Sequence, residues 1–367
     1  MRPRRILHVI TDLYVGGAET ILVRLVTAKP GLAEETIIVS LQPDGFLAER
    51  LRAAGITVIE HNFRNPVSFF AGMIGLARLI AKMQPDIVQG WMYHGDLAAL
   101  LALALSGRRG ATRLAWNIRC SNLDLSQYGR LLRLVVGACV RLSSFPDLVI
   151  ANSAAGMEAH RALGYAPRRA EIVPNGIDVD QYKPDAAARA AVRGELGISE
   201  DAIVLAHVAR LDPMKDHAGF LRVMAKLPEV RALMIGAGTE SLPPAANVHR
   251  LGRRSDVARL LGAADFVVSS SAFGEGFSNA LAEGMACGLP PIATAVGDVP
   301  LIVSDAGMVV PPRDPVAFTD AIRALMRESR ERRTERGARA RARIVESYSL
   351  ERMQQRFAQI YATLLDC

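Results

Sequence analysis

Residues 266–288 read FVVSSSAFGEGFSNALAEGMACG. Phe266–Ser269 is a short apolar run of the kind that fills the middle of a sheet, and Asn279–Cys287 places small and apolar residues at helical spacing. Between them Gly274 and Gly276 let the backbone come close to a ligand and adopt positive φ. A helix that starts near Ser278 turns its unpaired N–H groups and positive dipole end toward whatever docks at the strand end, which suits a diphosphate. Glu275 stands before that helix and Glu283 about one turn inside it. Either alone reads as a surface charge. As a pair around a glycine-rich strand-to-helix turn they read as a site, because a carboxylate can accept from two neighbouring hydroxyls of a ribose or hexose.

The strand–turn–helix unit repeats along the chain. Strands are expected at Ile6–Ile10, Thr36–Leu41, Ile56–Ile59, Asp86–Trp91, Arg113–Ile118 and Leu148–Asn152, with the clearest helices at Ala18–Thr27 and Phe69–Lys82. The pattern restarts with strands at Ile203–Ala209, Ala232–Ile235, Val248–Leu251, Phe266–Ser269 and Pro291–Thr294. Helices are expected there at His217–Lys226, Val257–Leu261, Asn279–Cys287 and Pro315–Glu328. Apolar strands separated by helices imply parallel sheets covered on both faces. The expected division is a first α/β domain over 1–174, a second over 175–348, and a terminal amphipathic helix over 349–367 packing back on the first. Pro174-Asn175-Gly176 marks the boundary, and the polar Ala- and Arg-rich stretch to about Asp201 reads as a connector. Two such domains leave a cleft at the carboxyl ends of their strands, where ligands usually bind.

Bulk properties agree with an α/β chain. Of 367 residues, 50% are hydrophobic but only 5% aromatic, so aliphatic residues and alanine build the core. The whole net charge of +7 falls in residues 1–174, which attracts phosphates or an anionic membrane. No tight basic cluster interleaved with aromatics is present, so nucleic acid is not an expected partner. Cys120, Cys139, Cys287 and Cys367 lack ligand spacing and read as reduced thiols of a cytoplasmic protein. The basic start before Ile6–Ile10 imitates a signal peptide, but His8 and Asp12 interrupt the apolar run and a strand is the better reading. Neither Leu97–Leu105 nor Leu131–Ile150 is long and apolar enough to span a bilayer. The charged run Arg327–Arg343 reads as a solvated helix face.

Further motifs stand in order. Gly16 and Gly17 lie in the loop after the first strand, within Val15-Gly16-Gly17-Ala18-Glu19. Arg210 and Lys215 lie in Val208-Ala209-Arg210-Leu211-Asp212-Pro213-Met214-Lys215-Asp216-His217 after the first strand of the second half. Gly236-Ala237-Gly238 follows the next strand, and Val173-Pro174-Asn175-Gly176-Ile177-Asp178 joins the halves. With Glu275 and Glu283, the ordered set resembles retaining glycosyltransferase family 4, the GT-B-fold group 1 glycosyl transferases, over essentially the whole chain.

The resemblance implies two Rossmann-like domains with parallel sheets facing a central cleft, and a nucleotide-diphosphate-sugar as donor. Arg210 and Lys215 would neutralise the diphosphate as it leaves. Glu283 would hold the ribose hydroxyls, and Glu275 those of the transferred sugar. Backbone groups of Gly276, Phe277, Ser278 and Asn279 would reach sugar and phosphates, and those near Gly252–Arg254 would frame the base. Gly16 and Gly17 would let the first-domain loop close over the sugar-phosphate. His94 would lie beside the reacting carbon or acceptor, with Asp96, Arg119 and Asn122 as weaker acceptor-side candidates.

The family transfers with retention and no dedicated protein nucleophile, so none is assigned here. No metal and no cofactor are expected. Asp178-Val179-Asp180 imitates an Asp-x-Asp metal motif but sits in the interdomain segment and reads as structural. The expected acceptor is a glycan or lipid-linked glycan of cell-surface polysaccharide synthesis, with peripheral contact to an anionic membrane. The rivals are a nucleotide-sugar epimerase or hydrolase, for which no second acid/base set is visible, and a non-catalytic nucleotide-sugar-binding scaffold, for which Arg210, Lys215, Glu275 and Glu283 would be superfluous. A dinucleotide oxidoreductase lacks its Gly-x-Gly-x-x-Gly fingerprint after the first strand.

Overall fold

The computed structural model describes residues 4–14, 16–28, 31–63, 66–121 and 129–366, with no side chains for 66 and 67. It divides into two compact units, Met1–Gly176 with Leu350–Cys367, and Ile177–Ser349.

The first unit opens with β1 (Arg5–Ile10), α1 (Gly17–Thr27), β2 (Glu35–Ser40), α2 (Ala48–Ala53) and β3 (Thr57–Glu60). It continues through α3 (Pro66–Met83), β4 (Ile87–Trp91), α4 (Met92–Leu105), β5 (Arg113–Ile118), α5 (Arg130–Leu142), β6 (Leu148–Ala151), α6 (Ala154–Ala162) and β7 (Ala170–Ile172). Its sheet is parallel throughout, in the order β3-β2-β1-β4-β5-β6-β7. The order reverses between β1 and β4, so loops leaving their carboxyl ends diverge and open a crevice. Alternation along β1 feeds two cores. Ile6 and Ile10 pack with Ile21, Leu22 and Leu25 of α1, while Leu7 and Val9 pack with the inner faces of α3, α4 and α5.

The second unit contains α7 (Ala186–Leu196), β8 (Val204–Val208), α8 (His217–Met224), β9 (Arg231–Ile235), β10 (Val248–Gly252), α9 (Val257–Gly262) and β11 (Phe266–Ser269). Then follow α10 (Asn279–Ala286), β12 (Pro291–Thr294), α11 (Val299–Val303), β13 (Met308–Val310), α12 (Pro315–Met326) and α13 (Arg330–Tyr348). This sheet is also parallel, in the order β10-β9-β8-β11-β12-β13, and reverses between β8 and β11. Val204, Ala206 and Val267 face the core under α10 and α13, and Leu205, Phe266 and Val268 face that under α8 and α12. The last helix, α14 (Leu350–Asp366), belongs to the first unit, where Met353, Phe357, Ile360, Tyr361 and Leu364 join the core beneath α1.

Two expectations change. The polar connector contains a helix, α7, capped by Asp185 accepting from Ala188 N–H and stopped by Gly197 at positive φ. Its Arg193 is fully buried, paired with Asp265 at 2.9 Å and donating to the carbonyls of Ser199, Glu200, Ala202 and Ala263. The charged run forms α13, yet it is more than a solvated face. Arg341 donates to the carbonyls of Val179, Tyr182 and Ala286, and Arg343 to those of Leu301 and Ile302. Among the described residues, no helix is long and apolar enough to cross a membrane.

Candidate active site

In the second unit the expected donor residues converge on the carboxyl ends of β8 and β11. After β8, Asp212 accepts from Met214 N–H at 2.9 Å and starts a single turn over Pro213–Lys215. Asp216, at φ 44°, ends that turn and caps α8 by accepting from Gly219 N–H at 2.9 Å. The turn is anchored to the chain leaving β11. Ala272 N–H donates to Met214 O at 2.7 Å, and Ser270 Oγ donates to Lys215 O at 2.8 Å. Those bonds fix the Lys215 backbone and leave its side chain to reach Glu275, with Nζ 2.5 Å from Oε2.

Glu275 is buried, at 6% exposure, and also accepts from Ser271 Oγ at 3.2 Å. Burial alone would raise its pKa. The Lys215 charge and hydrogen bonds from Lys215, Ser278 and Ser271 outweigh that and hold it below the ordinary carboxylate value. Ser278 stands at the N-cap of α10 but makes no side-chain cap bond to the helix, its hydroxyl serving Glu275 instead. Glu283 lies on the second turn of α10 and is largely buried. Phe277 tucks against Tyr348, ring centroids 5.4 Å apart, which fixes the loop before the helix. Gly276 O accepts from Asp298 N–H at 3.2 Å.

Arg210 stands apart from this pair. Its guanidinium is mostly exposed and held by Asp212 at 3.0 Å, so it waits at the rim and not within the buried cluster. Near Gly252, Arg254 is likewise paired with Asp256 at 2.7 Å. Asp178 accepts from the N–H groups of Asp180 and Gln181 at 3.1 and 2.9 Å, which gives the Asp-x-Asp segment a turn-forming role. Among the described residues, no group of three or more His, Cys, Asp or Glu could hold a metal ion.

The first-unit candidates gather at the carboxyl ends of β1, β4 and β5. Gly16 is the N-cap of α1, and a Cβ there would collide with the Glu19 carboxylate, whereas one on Gly17 would meet nothing. His94 is half-buried in the first turn of α4, and burial lowers its pKa, favouring the neutral imidazole. It follows Met92, a non-glycine residue at φ 61°, where the turn from β4 into α4 holds backbone strain. Arg119 donates through Nη1 to Asn175 Oδ1, and its guanidinium carbon lies 4.8 Å from the Trp91 ring centroid. Burial brings it down to about 9, opposed by Tyr361. Its Nε and Nη2, the edge that meets a carboxylate or phosphate side-on, have no partner among the described residues. Asn122 lies outside the described residues.

Asp96 is a correction. It is 0% exposed and accepts from Asn117 N–H at 3.1 Å, and burial drives its pKa well up despite that bond. A carboxyl closed off between α4 and the sheet cannot touch an acceptor, and its place is structural. A Cβ at Gly90 would strike it, so Gly90 is what lets α4 settle this closely.

Several supporting residues escaped the sequence reading. Gly297, at φ 59°, lies against Glu275 O, where any Cβ would collide. Gly236, at φ 150° and part of the glycine turn read from the sequence, likewise lies too close to Ala209 O for a Cβ. The signal was a glycine one to three residues past a strand end. Ser270 and Ser271 carried no signal beyond the strand they terminate.

Two parallel doubly-wound units with buried charges at their switch points define a Rossmann-like, nucleotide-binding class of fold. The sequence profile of Glycosyltransferase Family 4 matches residues 15–181, and that of Glycosyl transferases group 1 matches residues 202–328. The D-inositol 3-phosphate glycosyltransferases of Mycobacterium bovis and Mycobacterium tuberculosis are 34% identical over 206 residues, 51% of this chain and 42% of theirs. The match thus spans less than half the length of these curated relatives. HepE of Anabaena, solved in complex with UDP, superposes with a TM-score of 0.83 at 21% identity, covering 98% of this chain and 100% of that one. Sucrose-phosphate synthase from Thermosynechococcus elongatus superposes with a TM-score of 0.79 at 17% identity, covering 99% of each chain. The chain has the GT-B fold and belongs to the family 4, group 1 glycosyltransferases.

Proposed function

We propose that this protein is a retaining, metal-independent glycosyltransferase that moves a sugar from a nucleotide-diphosphate-sugar to a glycan or lipid-linked glycan in cell-surface polysaccharide synthesis. The observation that carries the reading is the buried Lys215–Glu275 pair beside the N-terminus of α10, with Glu283 on the same helix. HepE, a neighbour in fold, binds UDP and UDP-glucose, which supports a nucleotide-sugar as donor.

In this reading Glu275 accepts hydroxyls of the transferred sugar and Glu283 those of the ribose. Backbone groups of Gly276, Phe277, Ser278 and Asn279 meet sugar and phosphates. Lys215, Arg210 and the helix N-terminus stabilise the negative charge that builds on the diphosphate as the glycosidic bond breaks. That supply of positive charge is what a metal would otherwise provide. Gly16 and Gly17 let the loop after β1 approach the sugar-phosphate. His94, kept neutral by burial, sits beside the acceptor, with Arg119 on the same side. The bond from the anomeric carbon to phosphate oxygen breaks through an oxocarbenium-like state. The freed phosphate oxygen takes the proton of the attacking hydroxyl on the same face, so configuration is retained and no protein nucleophile is used. The basic first half and the scattered cysteines support a cytoplasmic protein held peripherally on an anionic membrane.

The test is the anomeric configuration of the first product by NMR, in excess EDTA. A retained anomer at undiminished turnover is expected. An inverted product refutes the same-face mechanism, and activity restored only by divalent ions refutes the metal-independent one.

A further inference from the structure

On one face of the first sheet, α3, α4 and α5 lie side by side and share a core. Between them is a cavity of about 230 Å³. Its wall is apolar, formed by Phe69 and Met73 of α3, Leu97 and Leu101 of α4, and Leu131 and Val135 of α5. Its polar lining is small and comes from Thr11, Gln42 and His94. Thr11 follows β1 and Gln42 follows β2, so the polar lining marks the carboxyl-end side of the sheet. Its apolar wall offers water few of the two to four polar partners it needs.

The same helices expose large apolar side chains next to the cavity. Phe70 is 66% exposed, Ile74 48%, Leu105 67% and Leu134 72%. Leu101 and Leu131 belong both to the cavity wall and to that surface, at 39% and 70% exposed, which makes the two continuous. Exposed Arg130 and Arg133 flank Leu131 and Leu134 on α5. An apolar strip edged with arginines is the composition of a surface that rests on lipid headgroups.

We propose that this cavity receives the proximal part of a hydrocarbon chain carried by the acceptor, so that the acceptor is a lipid glycoside or lipid-linked glycan and not a free sugar. The proposal rests on the glycosyltransferase reading, because His94 is then the group at the acceptor hydroxyl. A chain suits the site in three respects. It is narrow enough for a slot between helices, it needs no hydrogen-bond partner from the apolar wall, and its remainder leaves past Leu101 and Leu131 onto the exposed strip. The polar head stays beside Thr11, Gln42 and His94. An apolar cavity of about 150 Å³ holds a benzene-sized ligand, so this one takes roughly nine carbons.

The experiment is calorimetric titration of the full chain with monomeric n-alkyl β-D-glucosides from butyl to dodecyl, with UDP titrated into the same preparations. Affinity is expected to rise about fourfold per added methylene and to level off near nine carbons, with a negative heat-capacity change. Leu101→Trp, which fills the mouth from a part-exposed position, should shift the plateau to shorter chains. Leu131→Gln, at a largely exposed position, should weaken the longer glucosides while leaving the folded state intact. Affinity independent of chain length, or unaltered by Leu101→Trp in folded protein, overturns the proposal. So does a rise that continues unbroken to dodecyl, which means adsorption to the surface strip. UDP binding without chain dependence sinks the cavity and spares the transferase reading. Chain dependence without UDP binding supports the cavity and excludes a uridine nucleotide as donor.

Discussion

The Lys215 ammonium lies 2.5 Å from a carboxylate oxygen of Glu275, 60 residues further along the chain. The two come together because Met214 and Lys215 lend their carbonyls to Ala272 N–H and Ser270 Oγ, which ties the loop after β8 to the loop after β11. Lys215→Ala leaves Glu275 buried without its counter-charge. Breaking a buried pair costs about 3–5 kcal/mol, and the low end applies because the Lys215 side chain is a quarter exposed. Glu275→Gln keeps the shape and an acceptor, so it should cost less. Both should lower kcat, Lys215→Ala by about 10²–10³-fold as for loss of a transition-state charge partner. Urea unfolding beside steady-state rates checks this. Equal stability loss in both variants with unchanged kcat would remove the pair from the chemistry.

Glu283→Ala should act on nucleotide binding beyond any effect on the fold. In wild type, a nucleotide-sugar at a hundred times its dissociation constant stabilises by about 2.7 kcal/mol. The variant should lose most of that gain at the same ligand concentration, measured against its own unliganded melting temperature. Thermal unfolding across a panel of nucleotides and nucleotide-sugars reads both quantities and shows which donor series binds. Full stabilisation of the variant would take Glu283 out of the donor site.

Gly297→Ala tests the support behind Glu275. Its φ of 59° disfavours any side chain, and a Cβ there would enter the Glu275 carbonyl. Strain of this kind costs of order 1–3 kcal/mol, and relief requires the Glu275–Gly276 segment to move. A displacement near 1 Å can cost about 10² in rate. The expected outcome is therefore a modest fall in stability and a large fall in kcat. Gly110→Ala is the control, since a Cβ at Gly110 meets nothing within 4 Å and the residue lies outside the site. If both variants behave alike in unfolding and rate assays, the close packing behind Glu275 has no bearing on activity.

What was legible in the sequence follows from where the physics is local. Most of the strands were readable because they run through the middle of a parallel sheet and are apolar on both faces, while β3 and β10 stand at edges and still showed an apolar run. Arg113–Ile118, Phe266–Ser269 and Pro291–Thr294 match residue for residue. The strands β7 and β13, three residues each, were not foreseen, since a pattern that short does not register. The α7 helix was hidden because Arg193 looks like a solvated charge in sequence, and only distant Asp265 and Ala263 with three carbonyls just past the helix make its burial tolerable. Asp96 misled for the opposite reason. Its place just after a strand end predicted access, while the glycine at position 90 drew the helix down and closed the carboxyl off. The glutamate pair was visible because a glycine turn between strand and helix announces itself in consecutive residues. The Lys215 contact was not, because it depends on how two loops 60 residues apart meet.

Acid should weaken both units through histidines with no role in the chemistry. His8 in β1 and His207 in β8 are 1% and 2% exposed, and burial lowers each pKa from 6.5 to about 3. His8 is held neutral as the acceptor of Trp91 Nε1–H at 3.1 Å, and His207 pairs with Ser270 Oγ at 3.0 Å. The folded pKa is the lower one, so the unfolded chain binds the proton first as pH falls. Stability is fully present above pH 6.5 and declines between 6.5 and about 3, with a slope of up to about 1.4 kcal/mol per pH unit for each histidine. Both tryptophans, Trp91 and Trp116, lie in the first unit, so their fluorescence follows that unit while far-ultraviolet circular dichroism follows the whole chain. Urea midpoints should fall from pH 7 to pH 5 in both signals. His8→Gln, which retains an amide oxygen to accept from Trp91, should flatten the fluorescence-detected slope alone. A slope unchanged in that variant would assign the acid sensitivity to other groups, such as His61, His94 and His160, whose pKa values burial also lowers.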